Sequence, residues 1–594
     1  MSSDRISKPM SPVRYHVSMP SPQSHELVVT MKIPAFADPT EVRIGMPAWA
    51  PGSYMVRDFA RHVYDLEVRD ERGRPLPLTR LDKQRWEIEA AGAAVTVSYR
   101  VFAFEESVRT SLFDDQHAFW NGSSLFFYVE DELDRACEVE VSPRAGWRVS
   151  TALPPVARKK HTFLAASYDE LADSPFEVGT HDLHTFRVGR TDFEVAIFGR
   201  TNADVERLLG DLRRVVAATG RLFGGFPFTR YLFIIHNLGA RGGGLEHANS
   251  CTLDIAGLGF EDDKAYQRFA ELAAHEFFHA WNVKRIHDRV LGPFDYEREN
   301  YTRLLWFHEG FTEYMESIVL LRAGVIDGQT YLDDLAEEWP RYVSRPGRNT
   351  TPLSELSFEA WTKLYKPADN HTNRSVSYYE KGKWVAVILE VLLREATRGR
   401  QGVEDLFVSL WENFGQKNRG LDEEDIREAI ASIAGQPFDD YFARYIHGTE
   451  ELPVPAMLEK AGVSLTTLAP WEGDGADKVK RDRARAYLGV TWAPSGERAT
   501  IRNVVPDSPA WQAGLTYGDE VIAVGGVRVN LSTVGKRVAD HPPGSEVKLH
   551  FFRKDALRVA RVVIGETPER RYEMVPSPRP IRGARAIRRA WLGL

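Results

Sequence analysis

The segment with the clearest potential for chemistry is H-E-F-F-H at residues 275–279. On an α-helix, residues four apart lie on one face, so His275 and His279 can reach one metal ion. Glu276 lies about 100° around the same helix, where it can meet a metal-bound water without ligating the metal. Two neutral imidazoles and a carboxylate suit zinc, and catalysis needs a fourth, open position. The segment predicts a catalytic zinc helix, against the alternative of two surface histidines.

A second segment, W-F-H-E-G-F-T-E-Y at residues 306–314, opens another helix and offers a third ligand. Glu309, directly before a glycine, is predicted to be that ligand. Glu313 lies one turn further on and either orients a ligand or faces solvent, and His308 is predicted to be structural. The two segments together predict one zinc ion per chain, with Glu276 as the base that activates the attacking water.

The elements that must position these residues change along the chain. Residues 1–175 contain short β-rich runs separated by proline and glycine, which predicts an N-terminal β-sandwich domain. Residues 176–460 mix strands with helices and then become helical, and they contain both candidate segments. Residues 461–485 are polar and charged and predict a linker. A β-rich module follows at 486–566, and a basic tail at 567–594 ends the chain.

Composition narrows the class of protein. With 594 residues, 43% hydrophobic and 27% charged, the chain resembles an ordinary globular protein of several domains. Its net charge of -8 argues against nucleic acid as a partner. No apolar run is long enough to span a bilayer, and nothing resembles a signal peptide. Two isolated cysteines, Cys137 and Cys251, exclude a disulfide framework, so we expect a cytoplasmic protein without a membrane partner.

Further motifs resemble those of one peptidase family. They are W-A-P-G-S-Y at 49–54, R-G-G-G-L-E-H at 241–247, H-A-W-N-V-K-R at 279–285 and S-Y-Y-E-K-G at 377–382. With the two helices above, they resemble the gluzincin metallopeptidases, which are aminopeptidase N-like, and more closely the glycyl aminopeptidase family. The resemblance covers nearly the whole chain. It implies a multidomain α/β fold with an N-terminal β-sandwich, a thermolysin-like catalytic domain with a helical region, and a C-terminal PDZ domain.

The same resemblance implies roles for residues outside the metal set. Tyr379 begins a Y-x-K-G motif and is expected to donate to the oxyanion, with Tyr378 as its competitor. Gly243 and Gly244 are expected on a substrate-facing edge strand, where glycine lets a peptide backbone approach closely. Glu246 is expected to bind the free amino terminus of a peptide substrate. The implied activity is a zinc aminopeptidase that removes small residues such as Gly or Ala.

The C-terminal module carries motifs that resemble a PDZ domain: Y-L-G-V at 487–490, V-V-P-D-S-P-A at 504–510 and A-G-L-T-Y-G-D at 513–519. In that fold the first loop presents backbone N–H groups to the C-terminal carboxylate of a peptide. The module is expected either to position peptide substrates or to pack as a lid on the catalytic domain. The apolar end of the chain, residues 591–594, is a candidate ligand in the same chain or in a neighbour.

Two alternatives to an aminopeptidase stay open on the sequence. A zinc endopeptidase would use the same metal ligands, but Glu246 would then not bind a free amine. A PDZ-led peptide-binding or scaffold protein would carry a vestigial peptidase domain, although the intact set of candidate catalytic residues argues against this. Neither the physiological substrate nor the oligomeric state follows from the sequence.

Overall fold

The computed structural model describes residues 11–35, 41–238, 242–260, 262–469, 483–494 and 496–594. The strands are β1 Val13–Ser18, β2 Glu26–Ile33, β3 Glu41–Gly45, β4 Val63–Asp70, β5 Leu78–Arg80, β6 Arg85–Glu89, β7 Val95–Phe102, β8 Leu112–Phe113, β9 His117–Asn121, β10 Tyr128–Val129, β11 Cys137–Ser142, β12 Arg148–Thr151, β13 Thr162–Ala165, β14 Pro175–Gly179, β15 Asp182–Val188, β16 Thr191–Phe198, β17 Arg230–Leu238, β18 Gly243–Glu246, β19 Ser250–Ala256, β20 Val463–Leu468, β21 Ala486–Tyr487, β22 Val490–Trp492, β23 Ala499–Val504, β24 Glu520–Val524, β25 Val527–Arg528, β26 Glu546–Arg553, β27 Ala556–Val563, β28 Gly565–Glu566 and β29 Arg571–Pro576. The α-helices are α1 Gly122–Leu125, α2 Tyr168–Ala172, α3 Val205–Leu222, α4 Asp263–Phe278, α5 Phe311–Ala323, α6 Gly328–Val343, α7 Leu353–Phe358, α8 Ala360–Lys363, α9 His371–Arg374, α10 Tyr378–Ala396, α11 Val403–Asn413, α12 Glu423–Ala434, α13 Asp439–Tyr441, α14 Val454–Lys460, α15 Pro509–Gln512, α16 Leu531–Ala539 and α17 Ala584–Leu592. None of these helices is long and apolar enough to cross a membrane.

The chain divides into two compact units, of which the first contains Met1–Thr302, Met315–Val325 and Phe407–Ile426. Its N-terminal part is β-rich, with a six-stranded sheet in the order β13-β11-β1-β2-β7-β4 and two four-stranded sheets, β10-β3-β6-β5 and β12-β14-β9-β8. Strand β7 alternates buried and partly buried residues along its length, as expected for a strand with one face on a core. The expected N-terminal β-rich domain is confirmed.

The first unit also contains a five-stranded sheet in the order β15-β16-β17-β19-β18. Strands β16, β17 and β19 run parallel, and helix α3 connects β16 to β17. Six consecutive residues of β17, Tyr231–His236, are buried, which is typical of a parallel strand covered on both faces. Strand β18 pairs antiparallel with β19 and forms one edge of the sheet.

The second unit contains Arg303–Tyr314, Ile326–Leu406 and Arg427–Leu594. Helix α10 is its most deeply buried helix, and Ser377 caps its first turn by accepting from the N–H of Tyr379. Part of the predicted linker, Val463–Leu468, forms β20, which pairs antiparallel with β29 from the predicted tail. This differs from the sequence expectation because the partner of each strand lies about 100 residues away, and local composition cannot reveal such a partner.

The C-terminal module has the sheet β22-β23-β24-β26-β27 and the helix α16, whose first turn is closed by a capping box of Asn530 and Thr533. The PDZ fold is confirmed. Strand β23 contacts α9 of the same unit through a pair of amides: Asn373 donates to the backbone oxygen of Val504 at 2.8 Å, and Asn503 donates to Asn373 at 3.1 Å.

The tail of the chain is folded onto the second unit. Helix α17 places its arginines mainly on one side and buries Ala584, Ile587, Trp591 and Leu592 on the other. The Trp591 ring is completely buried at 5.9 Å from the ring of Tyr331 on α6. The expectation that residues 591–594 could serve as a PDZ ligand in the same chain is therefore wrong.

We expect Trp591→Ala to destabilise the second unit strongly. Removal of a fully buried indole leaves a cavity, which typically costs about 3–5 kcal/mol of unfolding free energy. Denaturant unfolding followed by circular dichroism measures the change. The matched control is Arg585→Ala on the exposed side of the same helix, which should change the free energy of unfolding by less than about 0.5 kcal/mol. Equal stability of the two variants would show that α17 is not docked.

Candidate active site

Helix α4 presents both histidines of the H-E-x-x-H segment. It begins after Asp262, whose side chain accepts from the N–H of Ala265, and His279 continues the helical backbone at its end. The rings of His275 and His279 have centroids 4.6 Å apart and planes at 81°. Both side chains are buried, so the predicted pair of imidazoles lies side by side in the interior of the first unit.

The Nδ1 atom of each histidine is already engaged. His279 Nδ1 lies 2.7 Å from the backbone oxygen of Asn282, and His275 Nδ1 lies 2.8 Å from Oε2 of Glu316. A carbonyl oxygen can only accept, so His279 carries its proton on Nδ1 and its lone pair on Nε2. A carboxylate favours the same tautomer of His275. Metal-binding histidines typically show this arrangement.

Glu316 is a functional residue that sequence reasoning missed. It follows Glu309 by seven residues, which is two helical turns, and that spacing could have indicated a shared direction. From the sequence, Glu313 was the candidate for an orienting role. In the structure, the carboxylate of Glu316 contacts the candidate ligand His275.

Glu276 lies directly against the edge strand β18. A Cβ atom at Gly244 would overlap the carboxylate of Glu276, so only glycine allows the strand to run there. Arg109 holds the same strand by donating to the backbone oxygen of Gly244 at 3.0 Å. The edge strand and the candidate base are thus in contact. Sequence reasoning predicted the glycines but had no signal for Arg109.

Glu246, at the end of β18, is a buried carboxylate. Its donor atom lies within 4.8 Å of those of Glu276 and His279, and the residue is only 4% exposed. Oxygen Oε1 has no hydrogen-bond partner among the described residues. The loop at Gly52, in the W-A-P-G-S-Y motif, covers it so closely that a Cβ there would approach Oε1 to 2.6 Å. A buried, incompletely paired carboxylate favours binding of a cation.

The segment after His279 is fastened to the end of β18 through Asp173. Lys284 donates to Oδ1 of Asp173 at 2.7 Å, and His247 Nδ1 lies 3.2 Å from the same oxygen. Burial alone would raise the pKa of Asp173, but Lys284 and His247 outweigh it and hold that pKa at about 2. These contacts give a structural role to Lys284, in the motif H-A-W-N-V-K-R, and to His247.

The second unit holds the other predicted residues. Glu309 lies in a π-helical turn, Trp306–Gly310, that leads into α5, and its side chain is 2% exposed. This turn packs against the start of α10, where a Cβ atom at Gly310 would approach the Cα of Gly382 to 2.5 Å. The W-x-x-E-G and Y-x-K-G motifs therefore meet through their glycines. π-Helical turns are frequent at functional sites.

Tyr379 lies in this same part of the second unit. Burial, followed by the negative charge of Glu309, raises the pKa of Tyr379 well above its ordinary value, so the phenol is a hydrogen-bond donor at neutral pH. Its hydroxyl lies 3.0 Å from that of Tyr365. Tyr378 stacks on Tyr379 but is only 1% exposed, whereas Tyr379 keeps some exposed surface. Accessibility favours Tyr379 over Tyr378.

Comparisons with known proteins agree with this architecture. Residues 14–180 match the model of the peptidase M61 N-terminal domain, 268–385 that of M61 glycyl aminopeptidase, and 486–564 that of the PDZ domain. A solved aminopeptidase N family protein from Idiomarina loihiensis is 29% identical, with a TM-score of 0.89 over 97% of this chain and 100% of that chain.

Other relatives are more distant. An M1 zinc metallopeptidase from Deinococcus radiodurans is 14% identical, with a TM-score of 0.49 over 75% of this chain and 95% of that one. A probable periplasmic serine endoprotease, DegP-like, from Halomonas elongata is 31% identical in an alignment of 111 residues that covers 16% of this chain. The chain spans only 23% of the length of that curated relative.

The fold and the domains place the chain among the metallopeptidases. More narrowly, it carries the two domains of the M61 glycyl aminopeptidases, followed by a PDZ domain. The family resemblance predicted from the sequence is confirmed.

We expect Gly244→Ala to impair peptide hydrolysis without unfolding the protein. The added methyl group displaces the Glu276 carboxylate, and a misplacement of this kind can cost about 100-fold in rate. Steady-state kinetics and thermal unfolding measure the two effects. The control is Gly210→Ala on α3, where no atom lies within 4 Å of the new methyl group. Full activity of Gly244→Ala would contradict a role for this contact.

Proposed function

We propose that the chain is a zinc-dependent aminopeptidase whose one zinc ion is held by His275, His279 and Glu309. The donor set of two imidazoles and a carboxylate, all buried, fits zinc and could hold a metal ion. The Nδ1 contacts of both histidines support the proposal, because they direct the Nε2 lone pairs away from the protein partners already described. When bound, the ion would polarise the scissile carbonyl and make a water molecule more acidic.

Glu276 is the proposed general base. Its position beside β18 supports this role, because a peptide paired with that edge strand would bring its backbone close to the carboxylate. Glu276 takes a proton from the attacking water and then delivers it to the leaving amine. Tyr379 donates a hydrogen bond to the developing oxyanion, and its raised pKa keeps the hydroxyl protonated.

The observation that carries the aminopeptidase assignment is the buried carboxylate of Glu246. A substrate ammonium group would supply the missing partner of Oε1 and compensate the cost of the buried charge. Its proximity to Glu276 would place that ammonium on the same residue as the attacked carbonyl, as removal of a single N-terminal residue requires. An endopeptidase would gain nothing from such a carboxylate.

We further propose a preference for small N-terminal residues, Gly or Ala. Two features support it: the match of residues 268–385 to a glycyl aminopeptidase model and the close cover of Glu246 by the loop at Gly52. The two cysteines are buried and unpaired, which supports a reducing, cytoplasmic location. For the PDZ module we propose the binding of a peptide C-terminus at the loop that contains Gly489, whose positive φ of 80° turns the chain there.

Glu276→Gln should retain zinc and lose nearly all turnover, because the amide keeps the shape of the carboxylate but cannot accept the proton. The expected fall in kcat is about 100- to 10,000-fold. Metal analysis and steady-state kinetics test both parts, and Glu309→Ala, which should lose the zinc itself, provides the contrast. Glu271→Gln on the same helix is the matched control and should behave as wild type. A Glu276→Gln variant with near-normal turnover would falsify the mechanism.

The aminopeptidase assignment is tested with short peptides that carry free or N-acetylated Gly or Ala at the amino terminus, with and without a zinc chelator. We expect cleavage only of the free peptides, abolished by the chelator. Glu246→Gln should raise KM for the free peptides more than it lowers kcat, since it removes the charge partner of the amine. Equal cleavage of both peptides would indicate an endopeptidase, and cleavage of neither would favour the PDZ-led binding function.

A further inference from the structure

A second group of histidines and a carboxylate lies in the first unit on elements other than α4. It consists of His117 on β9, Glu177 on β14, His181 just after β14, and His236 on β17, and we refer to these four residues as the Glu177 cluster. All four are between 0% and 3% exposed. None of them belongs to the active-site groups described above, and the sequence motifs did not indicate them.

The three imidazoles surround one carboxylate. His117 Nδ1 lies 3.1 Å and His181 Nδ1 lies 3.6 Å from Oε1 of Glu177, while His236 Nε2 lies 2.9 Å from Oε2. Ligands at about 2.0–2.2 Å around a tetrahedral zinc ion are separated from one another by about 3.3 Å. The ligand atoms of His117, Glu177 and His236 all lie within 4.8 Å of one another, so one metal ion could contact all three.

One ring nitrogen of the cluster is left without a hydrogen bond in the part of the chain that the structure describes. His181 Nδ1 is buried and has no hydrogen-bond partner among the described residues, although it lies 3.6 Å from the Glu177 carboxylate. The other ring nitrogen of His181, Nε2, lies 2.8 Å from Oγ of Ser150. If that nitrogen donates to Ser150, the Nδ1 lone pair points at a negative oxygen, which is unfavourable unless a cation lies between them.

The far side of His236 provides the orienting contact expected for a metal ligand. Its Nδ1 lies 3.2 Å from Oδ1 of Asp254, the residue opposite it on β19, while its Nε2 faces the cluster. A carboxylate that accepts from one ring nitrogen fixes the lone pair on the other, as in carboxylate–histidine–metal arrangements. The other oxygen of Asp254 accepts from the N–H of Val108 at 3.0 Å.

We propose that the Glu177 cluster is a second metal site, which binds a divalent transition metal, best matched by zinc, through His117, Glu177 and His236, with His181 beside the same carboxylate. The three ligands are buried, and a metal site closed to solvent is typical of a structural role rather than a catalytic one. The ion would join the sheet that contains β9 and β14 to the sheet that contains β17.

This site would also support the substrate-binding strand. Val108, which donates to Asp254, is followed by Arg109, which holds the backbone of Gly244. Asn121 at the end of β9 donates to the backbone oxygen of Val108 at 2.8 Å. The cluster and the loop that fastens β18 are therefore connected by consecutive hydrogen bonds, and a metal ion would fix both.

The test begins with the double variant His275→Ala/His279→Ala, in which the active-site ligands are removed and the Glu177 cluster is untouched. After growth with zinc and dialysis, elemental analysis should find about one zinc ion per chain, against about two in the wild type. Adding Glu177→Gln should remove the remaining ion. The matched control, Glu194→Gln on β16, replaces a carboxylate paired with Arg230 in the same unit and should leave the zinc content unchanged.

A second measurement does not depend on the folding of a cluster variant. In the double variant, added zinc should raise the unfolding temperature and a chelator should lower it, because a ligand that binds only the native state stabilises it. Cobalt in place of zinc should give visible absorption bands typical of nitrogen and oxygen ligands. A double variant that holds no zinc, and whose unfolding temperature does not respond to zinc, would overturn the proposal and leave the cluster as a network of shared protons. Zinc that stays after Glu177→Gln would also overturn it.

Discussion

Glu276 and the backbone of Gly244 approach each other so closely that a methyl group would not fit between them. The arrangement of the first unit around the candidate site depends on this contact. It sets the distance between α4, the helix that carries the H-E-x-x-H segment, and the edge of the five-stranded sheet, and it therefore decides where an added peptide strand would lie. Arg109 holds β18 at Gly244, and Asp173 holds the residues that follow it, His247 and Ala248.

Around this contact the protein buries carboxylates, and Oε1 of Glu246 has no hydrogen-bond partner among the described residues. Glu246 and Glu276 both lie in the interior within 4.8 Å of His279. Such carboxylates are costly in a free protein and are favourable once a cation or an ammonium group is bound. In the second unit, burial and the negative charge of Glu309 raise the pKa of Tyr379.

Much of the fold and of the candidate site was predictable from the sequence, because the patterns that indicate them lie within short segments. The i, i+4 histidines, the glycines of β18 and the alternating strands follow from helix and strand periodicity. Glu316 and Arg109 contact residues that are distant in the sequence, His275 and Gly244. Their adjacent residues therefore do not indicate these roles. The pairing of β20 with β29 was not predicted for a related reason. A polar strand of six residues resembles a linker unless its distant partner is known. Trp591 was apparent as an apolar residue, but its burial against Tyr331 depends on tertiary contacts.

The pairing of β20 with β29 also changes the relation of the PDZ module to the rest of the chain. These strands flank the module in the sequence, and β29 packs on α6 together with the helix that follows it. At the module's own boundary, β21 pairs with β28, so its first and last residues are neighbours. The PDZ domain is thus inserted into the peptidase fold rather than appended to its end. A truncation at residue 485 would remove a strand and a helix that belong to the host, whereas excision of the module with rejoining of the ends would preserve them.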